Sequence, residues 1–126
     1  MSERLEKGMR MRRAVLGDAH VDRAEEAKTG FDTPFQELIT ESAWGNVWAS
    51  EAIAPRDRSL ITLALLAAGG YWEELAMHIR ATKNTGATPG EVREAFMHVA
   101  IYAGVPAANH ALKIAKETYH DMGVYL

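Results

Sequence analysis

The sequence contains no cysteine. That absence excludes disulfides, thiolate nucleophiles and thiolate metal sites, and it is compatible with a reducing cytoplasm, the location expected for this chain. Strand signals are nearly missing, with no extended alternation of β-branched residues. Positive charge is also short: the formal net charge is -3, so no surplus of Lys or Arg exists to neutralise phosphates, and no nucleic-acid partner is expected. Long apolar runs are lacking. The longest, Leu60 to Gly70, is interrupted by Thr62 and is too short to span a bilayer, so no membrane partner is expected. The opening MSERLEKGMRMRR is charged from Glu3 onward and reads as no signal peptide. A Gly-rich phosphate loop and a serine-elbow motif are absent.

What is present is helical pattern. At 126 residues the chain reads as a single domain, 1–126, with one hydrophobic core. Glu3 to Leu16 is a first helix, ended by Gly17; Asp18 opens a short helical piece running toward Lys28, broken by Gly30. Thr33, Pro34 and Gln36 read as a capping box for a helix carrying Phe35, Leu38, Ile39 and Trp44 and ending around Trp48. After a connector at Ser50 to Pro55, the stretch RDRSLITLALLAAGG is apolar almost all round from Leu60 to Ala68, which predicts a central helix buried by its neighbours, with Gly69 and Gly70 weakening its end. Tyr71 to Asn84 follows, with Gly86 placed for a left-handed cap. Thr88, Pro89 and Glu91 form a second capping box, opening a helix to about Ala103. Gly104 and Pro106 punctuate before a last helix from Ala107 to Met122. The expected fold is therefore all-α, a compact bundle of six to seven helices. Trp44, Trp48, Phe96 and Met97 exceed what so small a core can bury, which predicts exposed apolar surface and a homo-oligomer.

The pair with chemical content is Glu74 and His78. Residues four apart share a helix face, and a carboxylate there can orient the imidazole and raise its pKa into a range useful for proton transfer. A solvated polar pair has the same spacing. The run Glu-Leu-Ala-Met-His lacks the second histidine that a metalloprotease helix needs, and no metal site is expected. Arg12 and Arg13 near the first helix, Arg58 at the head of the apolar helix and Arg80 beyond His78 are the guanidinium forks available to hold carboxylates, or else ordinary solvated side chains. His20, in a loop-like Gly-Asp-Ala-His segment, is a further candidate. So is Tyr102 near a helix end, as hydrogen-bond donor or packed ring. Trp44, four residues before Trp48, buries a helix face or lines an interface.

These pieces together resemble the carboxymuconolactone decarboxylase family, of alkyl hydroperoxidase D-like helical fold. The carrying segments are RRAVLGDAHVDRA, AWGNVW, RSLITLALLAA, ELAMHIRATKNTGATPGEVREA and AIYAGVPAANHALKIAKE, spread over nearly the whole chain. The redox branch of that fold places cysteines seven and four residues before a histidine; counted back from His78 those positions hold Tyr71 and Glu74, so thiol chemistry is excluded here. The resemblance implies decarboxylation of 4-carboxymuconolactone, a small dicarboxylate lactone, to 3-oxoadipate enol-lactone and carbon dioxide in protocatechuate breakdown. It implies no cofactor, because the conjugated lactone carbonyl takes up the released electrons. His78 and Glu74 would be catalytic; Arg58, Arg80, Arg12, Arg13, His20, Trp44 and Tyr102 would bind substrate; the assembly would be a trimer or hexamer. Two alternatives remain: another lyase or isomerase of the same fold acting on a different lactone or keto acid, and a non-catalytic oligomeric helical binding protein.

Overall fold

The computed structural model describes residues 2–126. Seven α-helices and one π-helical segment make up the architecture, with no strand among the described residues. They are α1 (Glu3–Leu16), α2 (Asp18–Ala27), α3 (Thr33–Ile39), the π segment (Thr40–Trp48), α4 (Pro55–Gly69), α5 (Trp72–Thr85), α6 (Pro89–Tyr102) and α7 (Val105–Asp121). The chain divides into two compact units, the first running through Ala54 and the second from Pro55 to Leu126.

In the first unit, the Ser2 hydroxyl caps α1 by accepting from the Leu5 amide at 3.0 Å, and Glu3 and Glu6 place negative charge at its N-terminal end. Leu5, Gly8, Arg12 and Val15 form its buried stripe, at spacings of three and four residues. That stripe meets the π segment, and glycine makes the approach possible. A Cβ on Gly8 would fall 2.0 Å from the Thr40 carbonyl oxygen, and one on Gly45 would fall 2.6 Å from that of Arg4. The capping box expected at Thr33 and Gln36 does not form. Asp32 occupies the N-cap instead, and its carboxylate accepts from the Thr29 amide at 2.7 Å, while the Thr33 hydroxyl donates back to the Thr29 carbonyl at 2.6 Å. A local side-chain turn outcompetes the box because Asp32 can bond its own upstream backbone. The expected single α-helix to Trp48 changes character at Thr40 and finishes as a π-helix.

The second unit is a four-helix bundle. The Ser59 and Thr85 hydroxyls, 2.6 Å apart, tie the start of α4 to the end of α5, so these helices run antiparallel. Arg56 reaches Glu91 at 2.7 Å, joining the starts of α4 and α6. Trp72 stacks on His110 with ring centroids 4.2 Å apart, joining the first turn of α5 to the second turn of α7. The core is Leu63, Leu75, Ile79, Val92, Phe96 and Ala111, with Ala67, Val99, Ala108, Ala115 and Tyr119 around them. Gly86 takes φ 90° and ψ 4°, the left-handed cap that ends α5, and Thr88 and Glu91 form the expected reciprocal capping box on α6.

Two expectations about burial are corrected. α4 is not enclosed on all sides: only Ser59, Leu63 and Ala67, one stripe at four-residue spacing, are buried, and Ile61 and Leu65 face outward. Each helix of a four-membered bundle turns one face to the centre, whatever its composition. Trp44, Trp48 and Phe96 are buried, the two tryptophans stacked at 5.2 Å, and of the four residues expected to overflow the core only Met97 is exposed, at 53%. Exposed apolar surface is present at other positions: Phe31, Phe35 and Leu38 in the first unit, Ile61, Leu65 and Ile101 in the second.

Candidate active site and family

His78 sits in the middle of α5 and is only 7% exposed. It belongs to that helix's inward stripe, with Leu75, Ile79, Ala81 and Thr82. Glu74 lies one turn earlier on the same side and is exposed. A buried imidazole preceded by a solvated carboxylate is a suitable arrangement for proton transfer. The ring is held by packing, and the acid remains reachable from solvent.

The arginines separate. Arg58 is half-buried in the first turn of α4, beside the Ser59–Thr85 link. Its backbone is thus level with the end of α5, about 10 Å along the bundle from His78 at 1.5 Å per residue. Arg80 is exposed and leaves α5 about 200° around the axis from His78, since each residue turns 100°. It lines a groove of about 470 Å³ with Thr82, Lys83, Ala87, Pro89, Tyr119, Met122 and Val124, and His78 is not among the lining residues. In the first unit, Arg12 is buried and paired with Glu25 at 3.2 Å. Arg13 contacts Asp22 at 2.9 Å and Asp18 at 3.1 Å, and these hydrogen bonds, Asp22 first, raise its pKa above the ordinary guanidinium value. Both arginines thus hold carboxylates of their own unit.

His20 is not in a loop: α2 begins at Asp18, directly after the Gly17 break, and His20 sits half-buried in its first turn. Gly17 at φ 90° lets one helix follow another with no intervening segment. Trp44 is buried in the π segment, and Tyr102 is 80% exposed at the end of α6, stacked on His98 at 5.0 Å. Lys83 and Tyr119, which the sequence did not mark, share the groove with Arg80. The signal for Lys83 was its spacing, three residues after Arg80 and so on the same helix face. No group of three or more His, Asp or Glu side chains placed to hold a metal ion occurs among the described residues. No helix among them is long and apolar enough to cross a membrane.

Sequence comparison finds relatives of this chain among known decarboxylases. The chain is 41% identical over 122 residues to a 4-carboxymuconolactone decarboxylase of Acinetobacter baylyi, covering 97% of this chain and 91% of that protein. It is also 41% identical over 117 residues to a nitrosuccinic acid decarboxylase of Metarhizium robertsii, covering 93% and 82%. A 4-carboxymuconolactone decarboxylase of Pseudomonas putida matches at 54% over 44 residues, 35% of this chain and 92% of that protein. The sequence profile of the carboxymuconolactone decarboxylase family matches residues 33–117, from the start of α3 into α7. The chain is a member of the carboxymuconolactone decarboxylase family.

Proposed function

We propose that this protein decarboxylates 4-carboxymuconolactone to 3-oxoadipate enol-lactone and carbon dioxide without a cofactor. The observation that carries the reading is the 41% identity, over 97% of the chain, to a decarboxylase of that substrate. The chemistry asks little of the protein beyond placement. The departing carboxylate sits on a ring carbon conjugated through a double bond to the lactone carbonyl. Its C–C bond breaks, carbon dioxide leaves, and the electron pair runs into the carbonyl to give a dienolate. One proton then adds to the carbon beside the carbonyl. The protein must hold two carboxylates, steady the oxyanion and deliver that proton.

His78, positioned by Glu74, is assigned to the proton or to the oxyanion. Arg58, half-buried at the head of α4 in the same unit as His78, is the favoured guanidinium for a substrate carboxylate. Trp44, Tyr102 and His20 are assigned to the substrate's surroundings, and an apolar wall there favours departure of the carboxylate as neutral gas. The exposure of Tyr102, Ile101 and Ile61 supports a homo-oligomer, trimer or hexamer, that covers them. The site of action in this reading is the cytoplasm.

The equal identity to a nitrosuccinic acid decarboxylase supports a second substrate. A nitro group beside the departing carboxylate accepts the electron pair as the lactone carbonyl does, giving a nitronate, and a second carboxylate remains for anchoring. Purified protein incubated with each acid, with carbon dioxide followed against the uncatalysed rate, separates the readings. No release from 4-carboxymuconolactone above background sinks the first; release from nitrosuccinate alone selects the second.

A further inference from the structure

The first turn of α4 is fastened to the α5–α6 corner at two points, one on either side of Arg58. Before it, the Arg56 guanidinium donates to the Glu91 carboxylate at 2.7 Å. Glu91 is itself held by the Thr88 amide at 3.0 Å, in the capping box that opens α6. After it, the Ser59 hydroxyl meets the Thr85 hydroxyl at 2.6 Å. Ser59 has no exposed surface, and the other members of its buried stripe are Leu63 and Ala67, so a hydroxyl is the exception on that face of α4. An apolar pair of the same shape would hold the helices together about as well. What a buried hydrogen bond adds is a fixed distance and direction between its two helices.

Thr85 is the last residue of α5, the helix that carries His78. The two lie within about 20° of each other around the axis and about 10 Å apart along it. The Ser59–Thr85 bond therefore joins the turn that carries Arg58 to the helix face that carries His78. We infer that this bond is a positioning device for the decarboxylation proposed above, holding Arg58 at a set place relative to His78 so that its guanidinium receives the substrate carboxylate that is retained. The inference rests on that reading of the activity. Ser59 and Thr85 act through Arg58 and do not touch the substrate. The retained carboxylate keeps its charge throughout the reaction, so Arg58 binds substrate and transition state alike. Misplacing the guanidinium should raise KM and leave kcat unchanged.

The test is steady-state kinetics of the intact protein on 4-carboxymuconolactone. Thr85→Val keeps the shape of the side chain and removes its hydroxyl, whereas Thr85→Ser keeps the hydroxyl. Thr85→Val should raise KM about tenfold with kcat within about twofold of the parent, and Thr85→Ser should restore the parent KM. Ser59→Ala, which breaks the bond from the other side, should give the same rise in KM. Arg58→Ala should raise KM by itself, and Thr85→Val added to it should raise KM no further, because the hydroxyl acts through that guanidinium. The parent's KM in both Thr85→Val and Ser59→Ala, with only thermal stability lowered, would make the bond merely structural and overturn the inference. So would an equal rise in KM from Thr85→Val with and without Arg58, or a Thr85→Ser variant that behaves as Thr85→Val does. Absence of turnover in the parent protein is a different result, which removes the assigned activity and this inference with it.

Discussion

His78 and Arg80 stand two residues apart on α5 and leave it on nearly opposite sides, one buried and one exposed. The family resemblance implies catalysis for His78 and substrate binding for Arg80. The helix divides them, so His78 belongs to the inward stripe and Arg80 to a groove shared with Lys83 and Tyr119. One helix thereby serves two surfaces, and substitutions on it should have separable effects.

The first prediction concerns the inward face. His78→Ala should lower kcat by about 10²–10⁴-fold, the usual contribution of a positioned proton donor, with far-UV circular dichroism unchanged. Glu74→Gln should lower it less, because the imidazole keeps its packing. Full turnover in both variants would remove this pair from the reaction.

Phe96 anchors the second unit, with no exposed surface and with Leu63, Leu75, Ile79 and Val92 in the same cluster. Phe96→Ala should destabilise by about 3–5 kcal/mol, combining lost transfer energy with the residual cavity. Urea denaturation measures this directly. A loss below about 1 kcal/mol would mean that the core collapses onto the gap.

At Gly8 the sign is the informative quantity. Helix propensity alone favours Gly→Ala by about 1 kcal/mol. The added Cβ would meet the Thr40 carbonyl oxygen at 2.0 Å, and that atom is backbone, which cannot swing aside. Gly8→Ala should therefore destabilise, by about 1–3 kcal/mol as overpacking does. A raised Tm for this variant would show that α1 can shift away from the π segment.

Glu25 makes stability depend on pH. Its hydrogen bond from Lys28, 2.6 Å away, is the main cause holding its carboxyl below the ordinary value, with the charges of Lys28 and Arg12 adding and burial opposing. The folded state therefore releases this proton more readily than the unfolded chain. The stabilisation is complete above the unfolded carboxylate pKa, about 4.3, and is lost as pH falls through the lower folded value. Equilibrium unfolding from about pH 6 down to about pH 3 should lose stability over that window. Glu25→Gln should flatten this part of the profile. An unchanged slope would assign the acid sensitivity to other carboxylates.

The legible parts of the fold were those encoded by neighbouring residues. Gly86 and the Thr88–Glu91 box fix the α5–α6 corner through contacts within a few positions, and Gly17 likewise separates α1 from α2. The expected box at Thr33 failed because Asp32 offered a competing local bond. Burial was harder to read, since it depends on partners distant in sequence: the same apolar composition leaves Leu63 enclosed and Leu65 in the open. Among candidate site residues, His78 and Glu74 were visible from spacing. The engagement of Arg12 by Glu25 was not, because that pair joins two helices across the Gly17 break.

The π segment has a further implication. An α-helix advances 100° per residue, whereas bonding to the fifth residue lets one more residue pass before each bond closes. Thr40 to Trp48 thus winds wider than the α-helix before it, with more residues in each turn. Removing one residue between Gly45 and Val47 while this wide winding is kept would turn Trp48 by one residue's step about the axis and take it off Trp44, 5.2 Å away. Chain length in this segment is therefore constrained as tightly as residue identity. Natural variation here should consist of exchanges of side chains, with gains and losses of residues confined to the connector that follows.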